Sequence, residues 1–250
     1  MDNDAGHEGP HHLLRTIGII RSCYREKFGI PRQAGLTPSA RAELELAGPY
    51  ARAEMVRGLE QFSHLWLVFL FHDATSEGWQ RTVRPPRLGG RRRLGVFATR
   101  SPHRPNHIGL SAVSLLGVEC SGGGVRLKLG GVDLLDGTPV LDIKPYLPYS
   151  DLIEAATSGW TDTDSRAVPV IFTPAAASFG AAYRERTGRA LLPLVEEVLR
   201  QDPRPASQRG RRTGFAMTLW DVNIRWQVTE TCFLVDYCEW LEGREGLSSG

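Results

Sequence analysis

Leu110-Ser111-Ala112-Val113-Ser114-Leu115-Leu116-Gly117-Val118-Glu119-Cys120-Ser121-Gly122-Gly123-Gly124-Val125-Arg126-Leu127-Lys128-Leu129 places two apolar runs on either side of a glycine-rich turn. Leu110 to Val118 and Val125 to Leu129 read as strands. Ser121 to Gly124 supplies the backbone freedom that a tight reversal needs, so the pair predicts a hairpin. Working outward, Leu94 to Ala98, Gln61 to Phe71 and Leu14 to Ile20 add strand-like runs upstream. Val140 to Ile143 adds one downstream, entered from Asp136-Gly137-Thr138-Pro139. The unbroken apolar stretch Leu65 to Phe71 fits a strand buried on both faces, with a buried helix as the other reading of such a run. Many short strands with no helices between them favour an antiparallel barrel or sandwich over a doubly wound sheet.

The character changes at Tyr149 to Pro169, where Ser, Thr, Asp and Gly dominate and a linker is expected. Pro174 to Thr187 and Ala190 to Arg200 predict two helices, the second with Leu191, Leu194, Val195 and Val198 on one stripe. Alternation then returns in Phe215, Met217, Leu219, in Val222, Ile224, Trp226, Val228, and in Phe233, Val235, Tyr237, which predicts three more strands. The division expected is a disordered leader over 1–13, a β domain over 14–155 and a smaller α+β domain over 170–240.

Composition removes several classes. A hydrophobic share of 41% supports a sizeable core, so wholesale disorder is not expected. The longest apolar run falls far short of the roughly 20 residues that span a bilayer. Met1 to His12 is polar and carries acids, unlike a secretory signal. Cys23, Cys120, Cys232 and Cys238 form no C-x-x-C pair, which suits reduced thiols in a cytoplasmic protein. The seven histidines show no metal-ligand pattern, and no metal is expected.

Function is first suggested by charge. From Arg81 to Val118 there is no Asp or Glu, yet Arg81, Arg84, Arg87, Arg91, Arg92, Arg93, Arg100 and Arg104 fall within it. The chain has 27 Arg against three Lys, so part of this richness is general, but 28 carboxylates are available elsewhere. An arginine surface without local acids fits a polyanion, because the planar guanidinium offers paired donors to phosphate. Nucleotide-cofactor and nucleophile-elbow motifs are absent, which disfavours a Rossmann-type site. Three other segments stand out: Phe28 to Gln33, where Pro and Gly fix a loop bearing Arg32 and Gln33; His72-Asp73 at the exit of the most apolar strand; and Asp133 to Tyr146, with three acids and Lys144-Pro145-Tyr146. Each also has a plain structural reading as polar loop, strand terminator or surface ion pair.

Together these segments resemble the TsaA/TrmO-type tRNA methyltransferases. The resemblance is carried by Ile17 to Ser22, Pro31-Arg32-Gln33, Gln61 to Trp66, Gly95 to Gly109, Asp133 to Tyr149, Gln201 to Pro205 and Val222 to Trp226, and it covers about residues 14 to 236. It departs at His107, where the family motif reads Arg-Pro-Asn-Pro-Ile-Gly; loss of that proline ring predicts a looser loop. The resemblance implies a small non-Rossmann β-barrel methyltransferase with a smaller α+β C-terminal domain, working as a homodimer. It implies S-adenosylmethionine as cofactor, held by Pro31, Arg32, Gln33, His72, Asp73, Arg100, Leu110, Asp133, Leu135, Asp136, Gly137 and Thr138. The implied reaction is methylation of N6 in threonylcarbamoyladenosine beside the anticodon of tRNA. Asp136 is then the expected base, Lys144 and Tyr146 orient the modified base, and the arginines from Arg81 to Arg93 with Arg204, Arg211 and Arg212 hold tRNA phosphates. Two further readings stand beside this one: a non-catalytic RNA-binding module of the same fold, and methyl transfer to another acceptor.

Overall fold

The computed structural model describes residues 12–90, 92–161, 168–204, 208, 210 and 213–241; the expected leader lies almost wholly outside them, as do Arg91, Arg211, Arg212 and the Arg87 side chain. Eight strands occupy the first part: β1 (Gly18–Ser22), β2 (Arg41–Leu46), β3 (His64–Leu70), β4 (Thr82–Val83), β5 (Leu94–Gly95), β6 (Ile108–Ser121), β7 (Gly124–Gly130) and β8 (Pro139–Pro145). Six of them close a barrel in the order β1-β2-β7-β6-β3-β8, with every neighbouring pair antiparallel. β4 and β5 form a separate two-stranded ribbon.

Side chains alternate across a strand, and the barrel interior is filled by every second residue. Leu65, Leu67 and Phe69 of β3, Val125, Leu127 and Leu129 of β7, Ala42 and Leu44 of β2, and Ile20, Val113 and Val140 are all buried. The expected burial of β3 on both faces is therefore corrected: Trp66, Val68 and Leu70 point outward and are only half-buried. The expected hairpin turns through Gly122 and Gly123, whose φ values of +58° and +78° only glycine adopts without strain, the geometry of a type I′ turn. β1 lies later than the predicted run, since Leu13 and Leu14 are exposed. β2 was not foreseen, although Arg41-Ala42-Glu43-Leu44-Glu45 alternates visibly.

Short helices α1 (Ala53–Val56) and α2 (Pro148–Asp151) border the barrel, and the expected linker is partly fastened to it, since Trp160 Nε1 donates to the Ala98 carbonyl at 3.0 Å. The C-terminal part holds β9 (Val170–Phe172), α3 (Pro174–Thr187), α4 (Leu191–Arg200), β10 (Gly214–Leu219), β11 (Val222–Val228) and β12 (Phe233–Trp240). Its sheet runs β10-β11-β12-β9, an antiparallel meander with β9 added parallel to β12. Thr173 caps α3 by accepting from the Ala176 N–H, Pro174 pre-sets the first turn, and Gly188 at φ +71° ends it. The stripe Leu191, Leu194, Val195, Val198 of α4 is buried.

One apolar core runs through both parts. Polar contacts lock the join: Trp220 N–H donates to the Cys23 carbonyl at 2.7 Å, Thr218 N–H to Glu26 at 2.7 Å, and both the N–H and hydroxyl of Ser39 to the Glu197 carboxylate at 2.8 Å. Glu197→Ala strips two donors of their charged acceptor, so a loss of about 1.5–3 kcal/mol in denaturant unfolding is expected; an unchanged midpoint would show that the join does not depend on it. Burial also pushes the Cys23 thiol up to about 12, which makes it an inert packing residue at this seam.

Candidate active site at one end of the barrel

An antiparallel barrel sends alternate connections to opposite ends. The segments 23–40, 71–107 and 131–138 therefore share one end, because β1, β3 and β7 finish there and β2, β6 and β8 begin there. Pro31, Arg32, Gln33, His72, Asp73, Arg100, Asp133, Leu135, Asp136, Gly137 and Thr138 all lie on these three connections, and Leu110 is the third residue of β6. Twelve positions spread over more than a hundred residues thus gather at one rim.

Contacts between the connections are specific. Arg100 donates to the Gln33 side-chain carbonyl, joining the second connection to the first. Asp133 faces the same junction. Burial pushes its carboxyl up, against the opposing pull of the Ser111 hydroxyl, the backbone N–H groups of Asp133 and Ala34, and the Arg100 guanidinium. Its Oδ1 is buried without a hydrogen-bond partner. A buried carboxylate oxygen without a hydrogen bond is costly, and groups perturbed in this way cluster at functional sites. Leu110 precedes Ser111 on β6, points to the outer face of the barrel and, 54% exposed, offers an apolar surface there.

The rest of the rim is held by its own hydrogen bonds. Asp73 pairs with Lys27 at 3.0 Å, and Lys27 also reaches Glu77 at 3.2 Å. Asp136 accepts from the Ser22 N–H at 2.9 Å and from Arg25, so both its oxygens are engaged. Gly137 N–H donates to the Ile20 carbonyl at 2.8 Å, and buried Thr138 closes its own turn on the Leu135 carbonyl at 2.7 Å. These bonds fix the loop Asp133–Thr138 against β1.

Lys144 and Tyr146 are elsewhere. They lie at and just beyond the opposite end of β8, roughly 17 Å (Lys144) and 23 Å (Tyr146) along the chain from Pro139 at about 3.3 Å per residue. Lys144 pairs with Asp142 at 3.2 Å; Tyr146 packs on Trp66 with ring centres 5.5 Å apart and near His64 at 6.4 Å. Within one chain, then, the three expected catalytic residues do not converge.

The loop around His107 is tied rather than loosened. His107 takes φ +50°, its Nδ1 contacts the Pro102 carbonyl at 2.8 Å, and its own carbonyl accepts from the Phe71 N–H at 2.8 Å. A proline ring, fixed near −65°, could not adopt this conformation.

The arginine segment is largely solvent-facing. Arg81, Arg84, Arg92, Arg93 and Arg100 are exposed, with Phe97 78% and Trp79 48% exposed among them. Arg204 is half-buried, bonded to Asp202 at 2.7 and 3.0 Å and lying over the Phe233 ring, so its guanidinium is already engaged within the chain.

Residues 19–152 match the family described as tRNA-methyltransferase O N-terminal domain, and residues 165–239 match the TrmO C-terminal domain. The chain belongs to the tRNA-methyltransferase O family. Among TrmO relatives, the tRNA (adenine(37)-N6)-methyltransferase of Escherichia coli K12 is 49% identical over 224 residues, covering 89% of this chain and 95% of the relative. A putative S-adenosylmethionine-dependent methyltransferase, RcsF of Pseudomonas aeruginosa, is 50% identical over 218 residues, covering 86% and 92%. The crystal structure of TrmO from Pseudomonas aeruginosa superposes with a TM-score of 0.77 at 41% identity, covering 92% of this chain and 99% of that one. The barrel seen here is thus the TrmO fold.

Sequence reading missed Ser22, Arg25, Ala34 and Ser111. For Ser111 a signal existed: it occupies the inward-facing series of β6 with Val113, where a polar side chain needs a partner. Arg25 and Ala34 carried none, because their neighbours are set by loops that fold back from far along the chain.

Proposed function

We propose that this TrmO-family chain is an S-adenosylmethionine-dependent tRNA methyltransferase. It acts as a cytoplasmic homodimer on N6 of threonylcarbamoyladenosine beside the anticodon. The single observation that carries the reading is Asp133, a buried carboxylate with an unpartnered oxygen, set with Ser111, Gln33 and Arg100 at the rim where the three connections meet. The names of the relatives supply the reaction class.

The residues present fit the cofactor. Asp133 offers an acceptor to its hydroxyl or ammonium donors, Arg100 a cation to its carboxylate, and Leu110 an apolar face. Pro31 to Gln33 and the loop Asp133–Thr138 wall the site. When bound, S-adenosylmethionine supplies a methyl group already activated on a sulfonium. Adenine N6 is a poor nucleophile, because its lone pair is delocalised into the ring, and a carbamoyl substituent withdraws more. The chain's main task is therefore alignment. The same carbamoyl group makes the N6 hydrogen more acidic, which eases its removal by a positioned base. Asp136 can take that role only by giving up Arg25; as it stands, it holds the loop in place.

Two copies account for the separation of Lys144 and Tyr146 from the rim. A homodimer can bring the Tyr146 end of one barrel to the Asp133 end of the other. Exposed apolar surface exists at both ends: Leu110 at the rim, and Tyr149, Leu152 and Ile153, exposed by 87%, 60% and 68%, beyond Tyr146. Residues 14–155 form the methyltransferase domain in this scheme, and 170–240 a C-terminal domain adding tRNA contacts. The exposed arginines of the 81–100 segment, with Trp79 and Phe97 among them, combine charge with stacking faces as RNA surfaces do.

The test is methyl transfer from labelled S-adenosylmethionine to two tRNA pools, one with and one without the threonylcarbamoyl group. Transfer to the modified pool alone is expected. Transfer to neither overturns the reading.

A further inference from the structure

A groove of about 1170 Å³ lies away from the cofactor rim's centre, between the barrel wall and the C-terminal layer. One wall is β1, β2 and β7, contributing Arg21, Arg41 and Lys128; the other is the end of α3 and the turn after it, contributing Arg186 and Arg189. Arg25 joins them at the rim. Six cations thus line the groove against three carboxylates, Glu43, Asp136 and Asp221. Arg25 and Arg189 are matched by Asp136 and Asp221, the latter at 3.6 Å. Arg21 pairs with Glu45 at 2.8 Å, and Lys128 with Glu119. Both of these pairs are well exposed, and such pairs hold little energy and exchange readily for a phosphate. Arg41 and Arg186 have no carboxylate partner among the described residues; Arg186 lies over the Trp240 ring at 4.7 Å, which fixes the guanidinium plane and leaves its edge to solvent.

We infer that this groove binds an RNA sugar-phosphate backbone, as a second contact surface separate from the arginine-rich 81–100 segment. Three observations carry it. The excess charge is positive in a chain whose formal net charge is only +2. The cations come from both walls, so a strand lying between them is gripped from two sides. And the groove reaches the cofactor rim through Asp136, which lines it and belongs to the same loop as Asp133. A backbone held there leads directly to that loop. Counterion release from such contacts makes affinity steeply dependent on salt.

This inference rests on the proposed function for the identity of the RNA, and the experiment separates the two. Arg186→Gln/Lys128→Gln removes one cation from each wall, and Arg184→Gln, on the same helix but outside the groove, serves as a charge control. Binding of threonylcarbamoylated tRNA is measured as a function of salt, beside S-adenosylmethionine affinity by calorimetry. The double variant is expected to lower tRNA affinity about tenfold and the salt slope by about two, since each lost phosphate contact removes about one. Cofactor affinity and the Arg184→Gln slope are expected to stay at the wild-type value. An unchanged slope in the double variant of a wild-type enzyme that methylates tRNA overturns the groove and leaves the function standing. A wild-type protein that binds tRNA with a groove-dependent slope but transfers no methyl group overturns the function and leaves the groove.

Discussion

Asp133→Asn is expected to raise the thermal stability of the cofactor-free protein at neutral pH while weakening S-adenosylmethionine binding by roughly 10- to 100-fold. The two effects share one cause. Burial holds the Asp133 carboxyl above its ordinary range, with Oδ1 left without a partner. Because the folded-state pKa is raised, the folded chain binds the proton more tightly than the unfolded chain does. The stability due to this group is fully present below the unfolded value of 3.8 and is lost as pH rises through the folded value. At neutral pH the group is a net cost, on the scale of about 1–3 kcal/mol for an unsatisfied buried polar group. An amide of the same shape escapes most of it. Melting temperature should therefore rise by a few degrees at pH 7, with the gain over the native chain shrinking as pH falls toward 4. The cofactor loses a charged acceptor, worth about 1.5–3 kcal/mol. Differential scanning calorimetry across pH and titration calorimetry read the two halves. An Asn variant that binds cofactor as tightly as the native chain removes Asp133 from the site.

Gly109→Ala is expected to cost about 3 kcal/mol or more. A Cβ on Gly109 would stand 2.3 Å from Cζ and 2.4 Å from Cε2 of Phe69, its cross-strand partner. That ring cannot swing clear. It is 3% exposed inside the barrel and packs edge-on against Phe71 with centres 5.0 Å apart. Overpacking a filled core typically costs 1–3 kcal/mol and sometimes more. In a chain of this size that corresponds to a fall of roughly 10 °C in melting temperature. The double variant Gly109→Ala/Phe69→Leu should recover part of the loss, since the smaller side chain frees the space. A single variant melting like the native protein would show that the barrel tolerates the methyl group.

The same residue shows how far the sequence could be read. Gly109 closes a motif that was legible as a motif, yet nothing in its neighbours says that it faces Phe69, forty positions earlier. That pairing belongs to the register of β3 on β6. The barrel strands themselves were mostly readable, because alternation leaves a period-2 trace, and β2 was overlooked only where charged residues fill the outward positions. β9 was missed for a better reason: it has three residues and earns its place by parallel pairing with distant β12. In the site, Asp133, Gln33 and Arg100 were picked out by motif, whereas the reason they act together was not.

By itself, the sequence determined the mainly β character, the hairpin at Gly122-Gly123, the two helices, the acid-free arginine segment and the family. These follow from local periodicity, turn chemistry and linear motifs, which short-range sterics and burial impose within a few residues. Only the tertiary structure decided that three distant connections share one rim, that Asp136 is engaged by Ser22 and Arg25, that Lys144 and Tyr146 stand at the far end of β8, and that Arg204 is half-buried and bonded to Asp202. Those facts depend on barrel closure and strand register, which bring together groups more than a hundred residues apart. No local pattern records that choice, because it is the shared core that selects it.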